Sequence, residues 1–398
     1  MSNKPDRNGD GIDRRGFLKC MTWAGTAVVW TLEGGLATSR ALGAPEAGDG
    51  FTFVQISDSH IGFNKPANTD VTATLQAAIA RINALPRTPE FIIHTGDLTH
   101  MSKPSEFDTL AQVLKSAKTG EIFYVPGEHD MLSDDGQSYL ERFGKGTKGS
   151  GWYSFDKHGL HFVGLVNVVD MKAGGLGNLG EPQLRWLADD LAALPDSTPI
   201  VAFAHIPLWS VYPEWGWGTD DGARALALMK RFASVTVLNG HIHQIMQKVE
   251  GKVSFHTARS TAFPQPAPGS APSPGPMRVP AGELVGVLGI TEVSFLRGTE
   301  PLAIVDSTLA DKSAAAPAGV GIDNFAFTPA KVEIAAGSTV TWTNHDDIPH
   351  VIASNEAKFV SPALDTDQQF AHAFREPGVF PYFCRIHPHM TGSITVRG

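Results

Sequence analysis

Five short groups of histidine and carboxylate punctuate the first two thirds of the sequence: Asp58-Ser59-His60, Gly96-Asp97, Gly127-Glu128-His129-Asp130, a lone His205, and Gly240-His241-Ile242-His243. Mixed imidazole and carboxylate donors suit Zn, Fe or Mn, and a carboxylate shared between two such ions is the arrangement used for two-metal hydrolysis. One histidine after a strand is usually structural. Five groups in this order point instead to a built dinuclear site. Near the C-terminus stands a different set, Cys384, His387 and Met390 with His350 upstream. One thiolate, two imidazoles and a thioether make the trigonal His2Cys arrangement with a weak axial Met that holds a single type 1 copper ion.

These residues need strands to aim them. Apolar runs at 51–56, 91–94, 122–125, 200–204 and 235–238 each end where one of the five groups begins, and ligands collect at the carboxyl ends of strands in open α/β sheets. Between the runs lie helix-like stretches at 71–85, 105–117, 181–194 and 222–232, which together predict an α/β layered fold. Residues 152–155 with 160–166, and 245–249 with 253–257, read as hairpins, so the sheets should be mixed. Residues 264–276 contain six prolines and read as a surface loop, after which strand-like sequence resumes at 284–296. Residues 306–321 are Ala-rich with the character of a linker. Beyond them, short alternating stretches such as 331–334 and 339–343, separated by Gly, Pro and Asn, predict an all-β sandwich.

The five groups resemble the calcineurin-like metallophosphoesterases, whose pattern is Asp-x-His, Gly-Asp, Gly-Asn-His-Asp/Glu, a single His and Gly-His-x-His. The likeness covers roughly residues 51–296. It implies one metal held by Asp58, His60, Asp97 and His243, and a second held by Asp97 as bridge with Glu128, His205 and His241. It further implies hydrolysis of phosphate esters by a hydroxide shared between the ions, with His129 stabilising the phosphoryl group or protonating the leaving oxygen and Asp130 orienting His129. Glu128 departs from the pattern, since asparagine is usual there. The added negative charge favours a harder or more highly charged ion in the second position, such as Fe(III), or else lowers its Lewis acidity. His100 stands where related phosphatases place a tyrosine ligand or an aspartate, and reads equally as a group at the site or as a plain loop residue. Trp209, Tyr212, Trp215 and Trp217 either pack their own loop or wall the metals for the organic half of a substrate. His94, His158, His161 and His256 read as structural.

The C-terminal cluster resembles the cupredoxins, with the compact Cys-x-x-His-x-x-Met spacing of amicyanin. The resemblance implies an apolar surface, around Pro349, Ile386 and Pro388, through which electrons pass to a partner protein. His345, His372 and His389 receive no role.

The sequence begins with Arg14-Arg15-Gly16-Phe17-Leu18-Lys19, an apolar stretch at 21–32 and small residues near Ala44, which resembles a twin-arginine export signal. The apolar stretch is short for a stable membrane span, and the location expected is periplasmic or secreted. Removing residues 1–43 moves the formal charge from −9 to −11, which gives a nucleic-acid partner no electrostatic support. It also leaves Cys384 as the single cysteine, a thiol that a metal would protect from oxidation. The organisation expected is a signal at 1–43, a phosphoesterase domain at 51–300, a linker at 306–320 and a copper domain at 321–398. The function expected is hydrolysis of a small phosphoester. The rival expectation is a copper-binding electron-transfer protein whose α/β domain is a non-catalytic scaffold.

Overall fold

The computed structural model describes residues 50–280, 282–296, 302–310, 318–356 and 358–397, and upstream of these only the backbone of an antiparallel ribbon formed by β1 (Ala27–Glu33) and β2 (Leu36–Leu42). Apart from that ribbon, the segment read as an export signal lies outside the described residues. No helix among the described residues is long and apolar enough to cross a membrane. The chain divides into two compact units, with the main division near Ala310 and the short stretch Ile79–Thr88 grouped with the second.

The first unit is built on two mixed sheets. One has five strands in the order β13-β12-β3-β4-β5, where β3 is Gly50–Ile56, β4 Phe91–His94, β5 Glu121–Tyr124, β12 Gly289–Leu296 and β13 Ala303–Thr308. The other has six in the order β10-β11-β9-β8-β7-β6, where β6 is Tyr153–Lys157, β7 Leu160–Gly164, β8 Ile200–Ala204, β9 Val235–Asn239, β10 Gln247–Glu250 and β11 Val253–Thr257. In the six-stranded sheet the central strands are parallel and an antiparallel strand closes each edge, whereas the five-stranded sheet runs parallel from β3 through β4 to its edge strand β5 and is antiparallel only on the β12–β13 side. Phe51, Phe53, Phe91 and Ile93 of the first sheet share one core with Phe162, Val201, Phe203 and Leu238 of the second, so the sheets pack face to face. The outer face of the six-stranded sheet buries Leu184, Leu187 and Leu191 of helix Glu181–Ala192 and Ala225 and Met229 of helix Gly222–Met229. This is why the strands read as continuous apolar runs: both of their faces are covered.

Helix Pro104–Leu114 shows how locally the elements are specified. Proline occupies its first turn, Glu106 reaches back to accept from the Met101 amide at 2.8 Å, and Phe107, Leu110, Val113 and Leu114 are buried along one side. Some elements differ from expectation. Residues 284–296 divide into a helical turn at Leu284–Val287 and the strand β12. β13 runs into the segment read as linker, because an edge strand ending in Asp, Ser and Thr carries no apolar run.

The second unit is a sandwich of two four-stranded sheets. Their orders are β15-β14-β17-β19 and β16-β21-β20-β18, with β14 Ala318–Asp323, β15 Ala326–Thr328, β16 Lys331–Ala335, β17 Ser338–Asn344, β18 Ile352–Ser354, β19 Gln369–Phe374, β20 Gly378–Cys384 and β21 Thr391–Arg397. Val320, Ile322, Val340 and Trp342 from one sheet meet Ile334, Ile352, Tyr382 and Ile394 from the other, leaving alternate residues outside.

Candidate metal centres

Strand register brings the five groups to one edge. Ile56 pairs with His94 and His94 with Tyr124, so the chain leaves β3, β4 and β5 side by side, just ahead of Asp58, Asp97 and Glu128. In the second sheet Ala204 pairs with Asn239, which releases His205 and Gly240 together. Five of the residues then turn through left-handed backbone: Asp58 (φ 55°), His60 (42°), Asp97 (50°), His241 (70°) and His243 (54°). Such conformations are uncommon and costly outside glycine, and where they cluster they mark a site over-determined by its surroundings.

The side chains converge in two sets. Asp58, His60 and His243 offer ligand atoms within 4.8 Å of one another, and so do Glu128, His205 and His241. Asp97 stands between them, its Oδ2 3.4 Å from His60 Nε2 and 3.4 Å from His205 Nε2. Within the first set His243 Nε2 is 3.2 Å from Asp58 Oδ1 and 3.3 Å from His60 Nε2. Within the second, Glu128 lies 3.0 Å from both His205 Nε2 and His241 Nδ1. Backbone acceptors fix the tautomers: His205 Nδ1 donates to the Thr95 carbonyl at 2.7 Å and His243 Nδ1 to that of Phe263 at 2.5 Å, which frees each Nε2 for a metal.

The donors fit a pair of ions. Among the described residues, His205 Nε2 and Glu128 Oε2 are buried and have no hydrogen-bond partner although they face each other. A cation between them would satisfy both. Burial alone would raise the Asp58 carboxyl, but His243 and His205 beside it hold it at about 2. Glu128 is likewise held well below the ordinary carboxylate range, His241 and His205 outweighing its burial. Burial lowers His205, yet Asp97 and Glu128 raise it well above the usual imidazole value. The carboxylates are thus ionised and concentrate negative charge where cations would sit.

His129 and Asp130 occupy different roles from one another. The His129 amide donates to Asp97 Oδ1 at 2.9 Å and its Nδ1 to the His100 carbonyl at 2.7 Å. The expected orientation of His129 by Asp130 is corrected by these contacts. Asp130 Oδ2 accepts from the amides of Leu98 (3.0 Å) and Gly127 (2.9 Å), while Oδ1 accepts from the Thr99 amide (2.9 Å) and hydroxyl (2.8 Å). Asp130 therefore ties the Asp97 loop to the Glu128 loop. Burial, with Asp97 nearby, raises its carboxyl to about 7. The His100 ring stacks on His129, with centroids 4.9 Å apart, and packs edge-on to His60. Sequence reasoning missed that the His100 backbone holds His129, since a carbonyl acceptor leaves no mark in residue type.

The remaining candidates separate cleanly. His94 binds Ser59 Oγ, His158 binds Glu90, His161 binds Asp156 and Asp190, and His256 binds Asp306, all at 3.0 Å or less, as expected of structural residues. The aromatic loop packs largely within its own surroundings: Trp217 is buried, Trp215 lies edge-on to both Trp217 and Tyr212, and Trp209 meets Phe255.

In the second unit, Cys384 pairs in register with Ile352, which brings the end of β20 beside His350. Cys384 Sγ lies 3.5 Å from His350 Nδ1 and 3.7 Å from His387 Nδ1, and the two imidazole nitrogens are 3.3 Å apart. His350 Nδ1 is the nitrogen turned toward Cys384 and His387, while Nε2 lies 2.9 Å from an Asp346 carboxylate oxygen. Met390 is buried in the core that contains Cys384, and its backbone brackets the ligand loop through its carbonyl to Cys384 and its amide to His387. A thiolate and two imidazoles converging at this spacing fit one copper ion.

A layered α/β unit with a histidine–carboxylate cluster at its strand ends, followed by a copper-type β-sandwich, defines a two-domain metalloprotein. Residues 51–245 match the calcineurin-like phosphoesterase family and residues 314–397 the copper binding proteins of the plastocyanin/azurin family. Amicyanin-alpha of Methylorubrum extorquens is 37% identical over 90 residues, covering 21% of this chain and 76% of that protein. A protein named probable glycerophosphodiester phosphodiesterase from Arcobacter nitrofigilis is 25% identical over 224 residues, 52% of this chain and 77% of its own. A 3',5'-cyclic-nucleotide phosphodiesterase of Nostoc sp. is 25% identical over 218 residues, 53% of this chain and 79% of its own. Through its C-terminal domain the chain belongs to the plastocyanin/azurin family of copper-binding proteins, and ahead of it the chain carries a calcineurin-like phosphoesterase domain.

Proposed function

We propose that this chain is an exported phosphoester hydrolase that works with two metal ions and carries a type 1 copper domain able to exchange electrons with a partner protein. The observation that carries the hydrolytic reading is Asp97 Oδ2, equidistant at 3.4 Å from His60 and His205, one from each ligand set. Asp58, His60, Asp97 and His243 would hold one ion and Asp97, Glu128, His205 and His241 the other, each Fe, Zn or Mn. When bound, the pair supplies Lewis acidity and a nucleophilic water at neutral pH.

The chain's own residues do the rest. His129, fixed at its amide by Asp97 and at Nδ1 by the His100 carbonyl, keeps Nε2 to donate to a phosphoryl or leaving oxygen. Asp130 holds the two loops that carry Asp97 and Glu128 in register. The two relatives of the phosphoesterase domain named above carry phosphodiesterase names, so diesters are the first substrates to test.

The test is hydrolysis of bis(p-nitrophenyl) phosphate and p-nitrophenyl phosphate by protein loaded with Zn, Mn or Fe, with metal content measured alongside. Asp97→Ala should lose metal and at least about 100-fold in rate together. Protein inactive in every metal form would favour the scaffold reading, and an Asp97→Ala variant that kept both ions and activity would refute the dinuclear assignment.

A further inference from the structure

The copper-type unit contains a turn that its ligand set does not require. Between β14 and β15 the chain reverses through Asn324 and Phe325, and both residues have left-handed backbone, with φ 53° and 58°. Asparagine tolerates this conformation; a bulky aromatic residue does so only when something holds it there. Asp346 is what holds it. Its Oδ1 accepts from the Asn324 amide at 2.6 Å and its Oδ2 from the Phe325 amide at 3.1 Å. That same Oδ2 lies 2.9 Å from Nε2 of the ligand His350. Asp346 is in turn fixed by its own backbone, the amide donating to Asn344 Oδ1 and the carbonyl accepting from Thr366.

The result is an aromatic ring held out of the core and over the ligands. Phe325 is 45% exposed, although a phenyl side chain gains by burial. Its ring stands edge-on to His387 with centroids 5.0 Å apart, edge-on to His350 at 5.9 Å, and stacked with His389 at 6.5 Å. One carboxylate thus links the orientation of a ligand imidazole to the placement of a ring that covers the other.

We propose that the Asn324–Phe325 turn is a shield over the copper centre which keeps small exogenous anions from the metal, with Asp346 as the positioning residue that clamps the shield and lies against the His350 ring. The inference rests on the copper reading of Cys384, His350, His387 and Met390. Phe325 excludes the anion by filling the approach beside His387. Asp346 acts through the turn and through His350.

The experiment uses the full chain loaded with Cu(II), titrated with azide while the thiolate–copper absorption band and the electron paramagnetic resonance spectrum are recorded. The wild type and Phe325→Leu should keep their spectra, because leucine restores apolar bulk. Phe325→Ala should bind azide at least about tenfold more tightly and show a new azide–copper band. Asp346→Ala should also admit azide and alter the copper hyperfine coupling even without it, whereas Asp346→Asn, which still offers an oxygen to the turn, should fall between. Phe325 is on the surface, so its variants remain informative even where the partly buried Asp346 does not tolerate replacement. A blue Phe325→Ala protein with the azide response of the wild type would overturn the shield while leaving the copper reading intact. A wild type that never develops a thiolate–copper band would instead overturn the copper reading, and the shield with it.

Discussion

A methyl group on Gly127 would stand 2.1 Å from Asp97 Oδ1, one on Gly96 2.5 Å from His205 Nδ1, and one on Gly240 2.0 Å from Ser57 Oγ and 2.8 Å from Asp58 Oδ2. The glycine that opens each of these three motifs is therefore the space its neighbouring ligand occupies, which is why the motifs are legible as Gly-Asp, Gly-Glu-His-Asp and Gly-His-Ile-His. Gly127→Ala should consequently displace Asp97, lower bound metal and reduce hydrolysis by about 100-fold, close to the effect of losing a positioning contact at a metal. Full metal content and rate in that variant would show that the Asp97 loop can yield. Glu128 poses a separate question of charge, as its carboxylate faces both His205 and His241 at 3.0 Å. Replacing it by Asn removes one negative charge and keeps an oxygen donor, so Glu128→Asn should hold activity and move metal preference toward divalent Zn. Metal analysis after growth in mixed metals reads this directly, and unchanged occupancy would mean that the charge does not set the preference.

At the scale of elements, the sites were readable because parallel strands covered on both faces make unbroken apolar runs, and the chemistry starts where each run stops. β13 escaped notice for the opposite reason: five of its six residues are only half-buried, and its second half is Asp-Ser-Thr. The clamp at one edge of the six-stranded sheet was equally hidden, since its Asp190 contacts join residues 29 and 36 positions apart in sequence. His161 on β7 lies 2.8 Å from Asp156 on β6 and 2.8 Å from Asp190 on helix Glu181–Ala192, and Ser154 also bonds Asp190. Burial lowers His161, but the two aspartates outweigh it and raise the imidazole above its ordinary value. A raised folded-state value means the unfolded chain releases this proton first. The clamp's contribution is then complete below about pH 6.5, the ordinary histidine value, and is lost as pH rises through the folded-state value above it. Asp156 is largely exposed, so most of the effect belongs to Asp190. His161→Gln should destabilise the phosphoesterase unit by about 1–3 kcal/mol at pH 6, with a smaller difference from the wild type at pH 9. Denaturant curves at the two pH values measure it, and an equal difference at both would remove the charge from the explanation.

For the whole molecule the informative fact is that two candidate metal-binding clusters lie in units with separate cores. The type of each unit was legible because both candidate ligand sets are dense in rare residues at short spacing; the clamp by Asp346 was not, because it acts through backbone amides on a turn 21 and 22 residues away in sequence. Separate cores predict separable functions. Cys384 is the single cysteine beyond Cys20, and the intense visible band of a type 1 site needs thiolate-to-copper charge transfer, so Cys384→Ser should bleach the Cu(II)-loaded protein. Sulfur is removed there without touching the strand-end cluster of the first unit. Replacement of Met390, the axial ligand proposed for the copper, should instead leave the colour and move the reduction potential. Hydrolysis of bis(p-nitrophenyl) phosphate by Cys384→Ser should stay within about twofold of the wild type, since substitutions at sites without shared contacts act independently. A larger fall in rate, with both metals of the phosphoesterase unit still bound, would show that the copper centre controls the hydrolytic one through the oxidation state of its ions.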